Sequence, residues 1–258
     1  MDANEVLRAA GQRTAPFYVY DCVDSTNTVA KTLARQGAVS GTAVTAGCQT
    51  AGRGRMGRSF SSPAGQGVYL SVIYRPQLPA ERLPVFTAWA AVAVCRAVER
   101  LCGARAEIKW TNDVLLHGRK LCGILTESSV GLGGAEFIVV GAGVNLNRRK
   151  EDFPPELQET ATSLLLETGQ EIRPETAAGI LAAELDAVYA GFLAAGGGVP
   201  EAYVRRCTTL GRTVTYTADG EVRTGRAEAI GPGGQLIVRR ETGGTDTLGW
   251  GEVSVRPV

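Results

Sequence analysis

Apolar and polar positions along the chain sort into short strands and longer helices. FYVYDCV (17–23) and TAVTAGC (42–48) read as strands, and VYLSVIYR (68–75) alternates with the period of two that a pleated strand requires. Between the first two, DSTNTVAKTLARQG predicts a helix with Asp24 or Ser25 as its cap and Gly37 as its stop. LPVFTAWAAVAVCRAVERL (83–101) predicts a long helix that is apolar on most faces and therefore well buried. EIKW, DVLL, KLCGILTES and EFIVVGAGVN follow as successive strands, turned at HGR and GLGG. A loop at Pro154 and Pro155 leads into a helix over 174–194 and a shorter one over 199–206.

After Leu210 the pattern changes to short alternating runs, TVTYT, EVRTGRAEAI, QLIVRR, DTLGW and EVSVRPV, separated by ADG, GPGG and TGG. Asp219-Gly220 between two such runs is a hairpin signal. Closure into a barrel removes exposed strand edges, so these runs predict a small antiparallel β-barrel. The expected division is 1–208 for the main domain and 209–258 for the barrel, an α+β chain without internal repeats.

Charge narrows the possible partners. Lys and Arg total 27 against 26 Asp and Glu, which argues against non-specific nucleic-acid binding. No apolar run is expected to span a bilayer, and the N-terminal MDANEVLRAAGQR lacks the apolar core of a signal peptide, so a cytoplasmic location is expected. Cys22, Cys48, Cys95, Cys102, Cys122 and Cys207 contain no C-x-x-C pair, and buried free thiols are expected. The single histidine, His117, falls in a turn and leaves little scope for a His-rich metal site or a triad.

The chemistry concentrates in three stretches. GRGRMGRSF (52–60) carries three arginines and three glycines with no acidic residue, which suits an anion. It satisfies G-x-G-x-x-G and nearly a Walker A loop, but SFSSPAGQG behind it cannot be the helix that either motif needs. A mobile loop presenting Arg53, Arg55 and Arg58 is the remaining reading, with a solvated basic surface or an RNA contact as its bland alternative. In KWTNDVLLHGRKLCGILTE (109–127), Lys120 enters an apolar strand just after a turn and is expected to act as a fixed point charge. Asn112 and Asp113 follow a Trp at the end of a strand, and Asp113 is a plausible Mg²⁺ contact or an ordinary Asx turn. VVGAGVNLN runs from a buried strand into Asn145 and Asn147, with Gly143 permitting close approach.

DSTN (24–27), CQTAGRGRMGRSF (48–60), KWTNDVLLHGRKLCGILTE (109–127), VVGAGVN (139–145) and GEVSVR (251–256), in this order, resemble the biotin protein ligases. The family often has proline where Thr111 stands, a third basic residue at Met56 and tryptophan at Phe60. The resemblance implies a mixed β-sheet flanked by helices, like the class II aminoacyl-tRNA synthetases, plus the small barrel. It implies ATP-dependent activation of biotin to biotinyl-5′-AMP, release of pyrophosphate, and transfer to a lysine of a biotin carboxyl carrier protein, with Mg²⁺. Biotin would meet Ser25, Thr26, Asn27, Gln49, Arg53, Gly54, Arg55, Lys120 and Gly123. ATP or the adenylate would meet Arg53, Arg55, Arg58, Phe60, Asn112, Asp113, Lys120 and Asn145. Lys120 and Arg55 would carry catalysis, Asp113 the metal, and the strands at 68–73 and 121–125 an apolar wall. Lipoate ligases share the fold, and some relatives are repressors. A winged helix-turn-helix needs three helices, and only sixteen residues precede Phe17, so DNA binding is not expected. An RNA-binding module would need more aromatic residues than Phe60 beside the arginines. Neither DNA nor membrane is an expected partner, and the chain is expected to be a monomer or homodimer.

Overall fold

The structure, a computed structural model, describes residues 1–131, 134–218, 220–249 and 256–257. Its first sheet is built from β1 (Phe17–Val23), β2 (Ala43–Gln49), β3 (Gly67–Tyr74), β4 (Glu107–Lys109), β5 (Asp113–Leu116), β6 (Arg119–Gly131) and β7 (Gly134–Asn145). The helices are α1 (Ala3–Ala10), α2 (Thr26–Arg35), α3 (Phe86–Cys102), α4 (Leu164–Thr168), α5 (Pro174–Ala194) and α6 (Glu201–Arg206). The strand order is β1-β2-β3-β7-β6-β5-β4, with β1 and β2 parallel and the other pairs antiparallel. A parallel pair needs a crossover, and α2 supplies it.

Strand alternation decides which helices cover which face. Ala43, Val72 and Val140 turn into the main core with residues of α3 and α5. Their neighbours Val44, Ile73 and Val139 turn the other way, against Ala30 and Ala34 of α2. α1 was not anticipated from the sequence; Asp2 caps it by accepting from the Asn4 and Glu5 amides. It crosses α5 at Gly179, where a Cβ would lie 2.5 Å from the Ala10 nitrogen and the Val6 carbonyl oxygen, so only glycine fits. The expectation that no run could span a bilayer needs correction. By length and composition Pro174–Ala194 could cross one, although it packs here with its Leu181, Leu185 and Phe192 in the core.

The second sheet contains β8 (Thr213–Ala218), β9 (Glu221–Ile230), β10 (Leu236–Arg240), β11 (Thr245–Leu248) and β12 (Arg256–Pro257), in the order β11-β10-β9-β8-β12. All its pairs are antiparallel, and among the described residues no pairing closes it into a barrel. Ala218 pairs with Glu221 across the expected hairpin turn. Asp219, part of the GLGG turn and residues 251–255 of GEVSVR lie outside the described residues. Val214, Tyr216, Leu236 and Val238 join the main core. The Trp110 indole donates to the Gly234 carbonyl at 3.0 Å, and the Trp110 amide donates to Thr209 Oγ1 at 3.0 Å. The second sheet thus anchors the stretch that leads into Asn112 and Asp113.

One cysteine expectation is overturned. Cys22 and Cys48 are register partners on β1 and β2 and form a disulfide, whereas Cys95, Cys102, Cys122 and Cys207 are free. A spacing of 26 residues carries no sign of this, because only the parallel pairing brings the two together. His117 sits in an exposed turn as expected, with Nδ1 2.7 Å from a Glu167 carboxylate oxygen.

Candidate functional site

The start of α2 forms a polar chamber against β2, β3 and β7. Ser25 is the N-cap residue, yet its hydroxyl makes no cap hydrogen bond. Gln49 Oε1 accepts from the Thr26 amide at 2.9 Å and the Thr26 hydroxyl at 3.1 Å, while Gln49 Nε2 donates to Ser62 Oγ at 2.7 Å. Ser71 Oγ lies 2.6 Å from Asn27 Oδ1 and 2.8 Å from Thr26 Oγ1. An amide oxygen only accepts, so the single Ser71 proton goes to Asn27. Asn27 Nδ2 donates to Glu127 Oε2 at 2.9 Å and to the Leu125 carbonyl at 3.2 Å. Both ends of the Asn27 amide are therefore spent on the protein, and Asn27 orients its neighbours. Ser25, Thr26, Asn27, Gln49, Arg53 and Gly123 line this chamber with Phe60, Tyr69 and Leu125. Sequence reasoning missed Ser71 and Glu127, which look like ordinary strand residues; only their inward register assigns them to the site.

The glycine-arginine segment, expected as a mobile loop, takes a defined turn. Gly54 N–H donates to the Arg58 carbonyl at 2.7 Å and Phe60 N–H to the Gly52 carbonyl at 2.8 Å, so residues 52–60 form a tight hairpin. A Cβ on Gly52 would lie 2.2 Å from the Phe60 carbonyl oxygen, which explains that glycine. Met56 adopts φ 56°, a left-handed conformation at the tip that side chains rarely take. Arg55 reaches across to donate to Asn112 Oδ1 at 2.8 Å. Burial pushes the Arg55 guanidinium below its ordinary value, and Asp113 works against that.

Lys120 enters β6 with its backbone bonded on both sides, its N–H to the Thr160 carbonyl at 2.8 Å and its carbonyl to the Thr162 N–H at 2.9 Å. Its ammonium pairs with Asp113 at 2.7 Å. Arg53, Gly54, Arg55, Arg58, Phe60, Asn112, Asp113, Lys120 and Gly123 line one cleft. For magnesium the fit is partial: among the described residues Asp113 is the one carboxylate lining this cleft, and Lys120 holds it. Among the described residues no three His, Cys, Asp or Glu cluster to hold an ion. A metal brought in with a triphosphate would have Asp113 within reach, in line with the one or two carboxylates such ions take.

Phe60 separates the polar chamber from a second recess. Its ring lies over Gly143, where a Cβ would meet the ring at 2.5 Å, and it meets Tyr69 edge-on with centroids 6.5 Å apart. Beyond it, Asn145, Arg148 and Phe153 line the recess with Arg58 and Lys120. Asn145 is buried and donates to the Thr162 carbonyl at 3.0 Å. The Arg148 guanidinium stacks over Phe153 at 4.8 Å and donates to Ser61 Oγ at 2.7 Å. Burial lowers the Arg148 guanidinium from its usual value. Neither Arg148 nor Phe153 was singled out from the sequence, since both fall in a polar connection.

Glu127 ties the chamber to the loop. It accepts from Lys31 Nζ at 2.7 Å and lies 3.3 Å from Arg53 Nη1. Burial works to raise its carboxyl, but the Lys31 and Asn27 hydrogen bonds prevail and hold it below the usual carboxylate range. Glu127→Gln should loosen the loop without unfolding the chain. Arg53 is half exposed, so the pair is worth at most ~1 kcal/mol, and tryptic cleavage after Arg53 should rise by up to about fivefold. An unchanged cleavage rate would show that Glu127 does not restrain the loop.

A family model described as the biotin/lipoate A/B protein ligase family matches residues 19–145. The biotin–acetyl-CoA-carboxylase ligase of Paracoccus denitrificans is 37% identical over 231 residues, covering 85% of this chain and 92% of the relative. The bifunctional ligase/repressor BirA of Bacillus subtilis is 43% identical over 153 residues, covering 59% of this chain; the chain spans 47% of that relative's length. The Bacillus spizizenii protein of the same name is likewise matched over 47% of its length, so the chain spans about half of these relatives. Among solved structures, a mutant biotin protein ligase from Aquifex aeolicus in complex with biotin superposes with a TM-score of 0.77 at 25% identity, covering 94% of this chain and 99% of that one. The same enzyme in complex with biotin and ATP gives a TM-score of 0.75 at 24% identity over 94% of this chain and 99% of that one, a likeness of fold.

Proposed function

The chain belongs to the biotin protein ligase family, and on that premise we propose that it joins biotin to ATP and then to a carrier lysine. One observation carries this reading: a chamber walled by hydroxyls and amides, with Arg53 at its side, opens beside a cleft where Arg53, Arg55, Arg58 and Lys120 converge. A ureido ring is neutral and needs hydrogen-bond partners such as Ser25, Thr26 and Gln49, while a carboxylate meeting a triphosphate needs concentrated positive charge. A biotin carboxylate oxygen attacks the α-phosphorus and pyrophosphate leaves, giving biotinyl-5′-AMP. A carrier lysine amine then attacks the acyl carbon and AMP leaves.

In this scheme Lys120 and Arg55 hold the charge that develops at the reacting phosphate. Ile124, Leu125 and Ala142 supply the apolar wall. Phe60 and the Arg148–Phe153 stack offer aromatic and cationic faces for a base. Asp113 would hold magnesium brought in with ATP, and the ion would supply charge neutralisation at the phosphates. Residues 1–208 are assigned to catalysis and 209–258 to the appended sheet. The acceptor assigned is the biotin carrier domain of a carboxylase, met in the cytoplasm by a monomer or homodimer, without DNA or membrane as a partner.

Biotin-dependent ATP–pyrophosphate exchange is the test. Exchange that requires biotin and is not supported by lipoate is the expected result. Exchange driven by lipoate instead would replace biotin with that acid, and exchange with neither would overturn the reading.

A further inference from the structure

The cysteine pair lies where the ligand-holding segments begin. Among the described residues β1 is an edge strand whose one sheet neighbour is β2. Cys22 and Cys48 face each other across that pair with Cα atoms 4.7 Å apart, within the span a disulfide bridges. One residue after Cys22 the chain reaches Val23, then Asp24 and the Ser25–Thr26–Asn27 wall; directly after Cys48 comes Gln49, and then the arginine hairpin. The two segments stay joined just beyond the bridge. Thr50 N–H donates to the Val23 carbonyl at 2.9 Å, Ala51 N–H to the Asp24 carbonyl at 2.8 Å, and Gln49 holds Thr26.

Accessibility separates this pair from most of the other cysteines. Cys22 is exposed and Cys48 half-buried, so a small thiol or disulfide can reach them. Cys95, Cys122 and Cys207 are buried, and burial pushes their thiols up, Cys95 to about 12. Thiol exchange runs through the thiolate, so those three are poor participants. Adenylation and acyl transfer oxidise nothing, and the proposed reaction has no use for the bridge.

We propose that Cys22 and Cys48 are a reversible dithiol–disulfide site, through which small-molecule disulfides and thiols set how firmly the polar wall of the chamber is held. In the forward direction the Cys22 thiolate attacks one sulfur of a small disulfide, and a first thiolate leaves. The Cys48 thiolate then attacks the Cys22 sulfur of the mixed disulfide, and a second thiolate leaves. Two electrons pass from the cysteine pair to the small disulfide, and the two cysteine protons end on the two thiols released. Excess small thiol reverses both steps. With the bridge closed, the edge strand cannot part from β2 at its ligand end, so less ordering remains to be done on binding. That the ligand is biotin rests on the function proposed above; the cysteine chemistry does not.

The test uses the full chain equilibrated in glutathione–glutathione disulfide mixtures. Alkylation followed by intact mass counts free thiols, hydrogen exchange follows the Thr50 and Ala51 amides, and titration measures biotin affinity. The expected result is interconversion within the series, faster exchange at both amides in the dithiol form, and biotin affinity weakened by about fivefold. Cys22→Ser should behave like the dithiol form at every ratio. A pair that stays bridged, or stays reduced, across the whole series overturns the reversible site. Interconversion with unchanged amide exchange overturns the claim that the bridge controls the wall. Absence of biotin binding in both forms, with interconversion and amide exchange as expected, overturns the biotin reading and leaves the cysteine site standing.

Discussion

Lys120→Ala is expected to abolish most adenylate formation while the chain still folds. Folding survives because the Lys120 backbone, not its side chain, bonds to Thr160 and Thr162. Its ammonium is partly exposed and meets Asp113, so removing it leaves no large cavity. What the variant loses is the positive charge at the point where a carboxylate and a phosphate must approach. The Asp113 carboxylate also remains, now without the Lys120 ammonium and repelling the same phosphate. Loss of one preorganised donor of this kind costs ~10²–10³ in rate. Pyrophosphate exchange at saturating biotin and ATP measures it, with the thermal unfolding midpoint as the control for folding. Exchange within threefold of the parent would remove Lys120 from the proposed mechanism.

Arg55→Gly should have the opposite profile, making the adenylate but failing to keep it. Arg55 spans the cleft from the hairpin to Asn112, with its guanidinium half-buried and its charge supported by Asp113. Lys120 remains in this variant, so the first step continues, slowed by the loss of one of the two cations at the reacting phosphate. A hydrogen bond to a charged group is worth ~1.5–3 kcal/mol, which corresponds to release of the intermediate faster by about tenfold to a hundredfold. Free mixed anhydride then acylates whatever amine it meets. Rapid filtration of the labelled intermediate gives the release rate, and biotin appearing on a bystander protein's lysines gives the consequence. If the variant retains the intermediate as the parent does, Arg55 does not seal the cleft.

The segments that carry these predictions were legible because each is contiguous. GRGRMGRSF announces an anion by composition, and KLCGIL announces a fixed lysine by placing it at the mouth of an apolar strand. Periodicity likewise located the strands of both sheets and the helix over Pro174–Ala194, since a period of two or 3.6 is a local property. The same local reasoning did not give the hairpin. Gly52 lets the Phe60 carbonyl approach, a contact between chain positions that no composition reveals.

By itself, then, the sequence determined a concentration of cations suited to an anion and the inventory of elements, a mixed sheet with an appended antiparallel one; a role for Ser25, Thr26, Asn27 and Gln49 came only from the family resemblance. The tertiary structure decided which groups meet. Strand order and register brought Cys22 to Cys48, aimed Ser71 and Glu127 at Asn27, and set Lys120 against Asp113. A shift of one residue in any of those strands would turn the same side chains to the opposite face. Hydrophobic periodicity specifies a strand's two faces, but the neighbour each face receives depends on packing across the whole sheet.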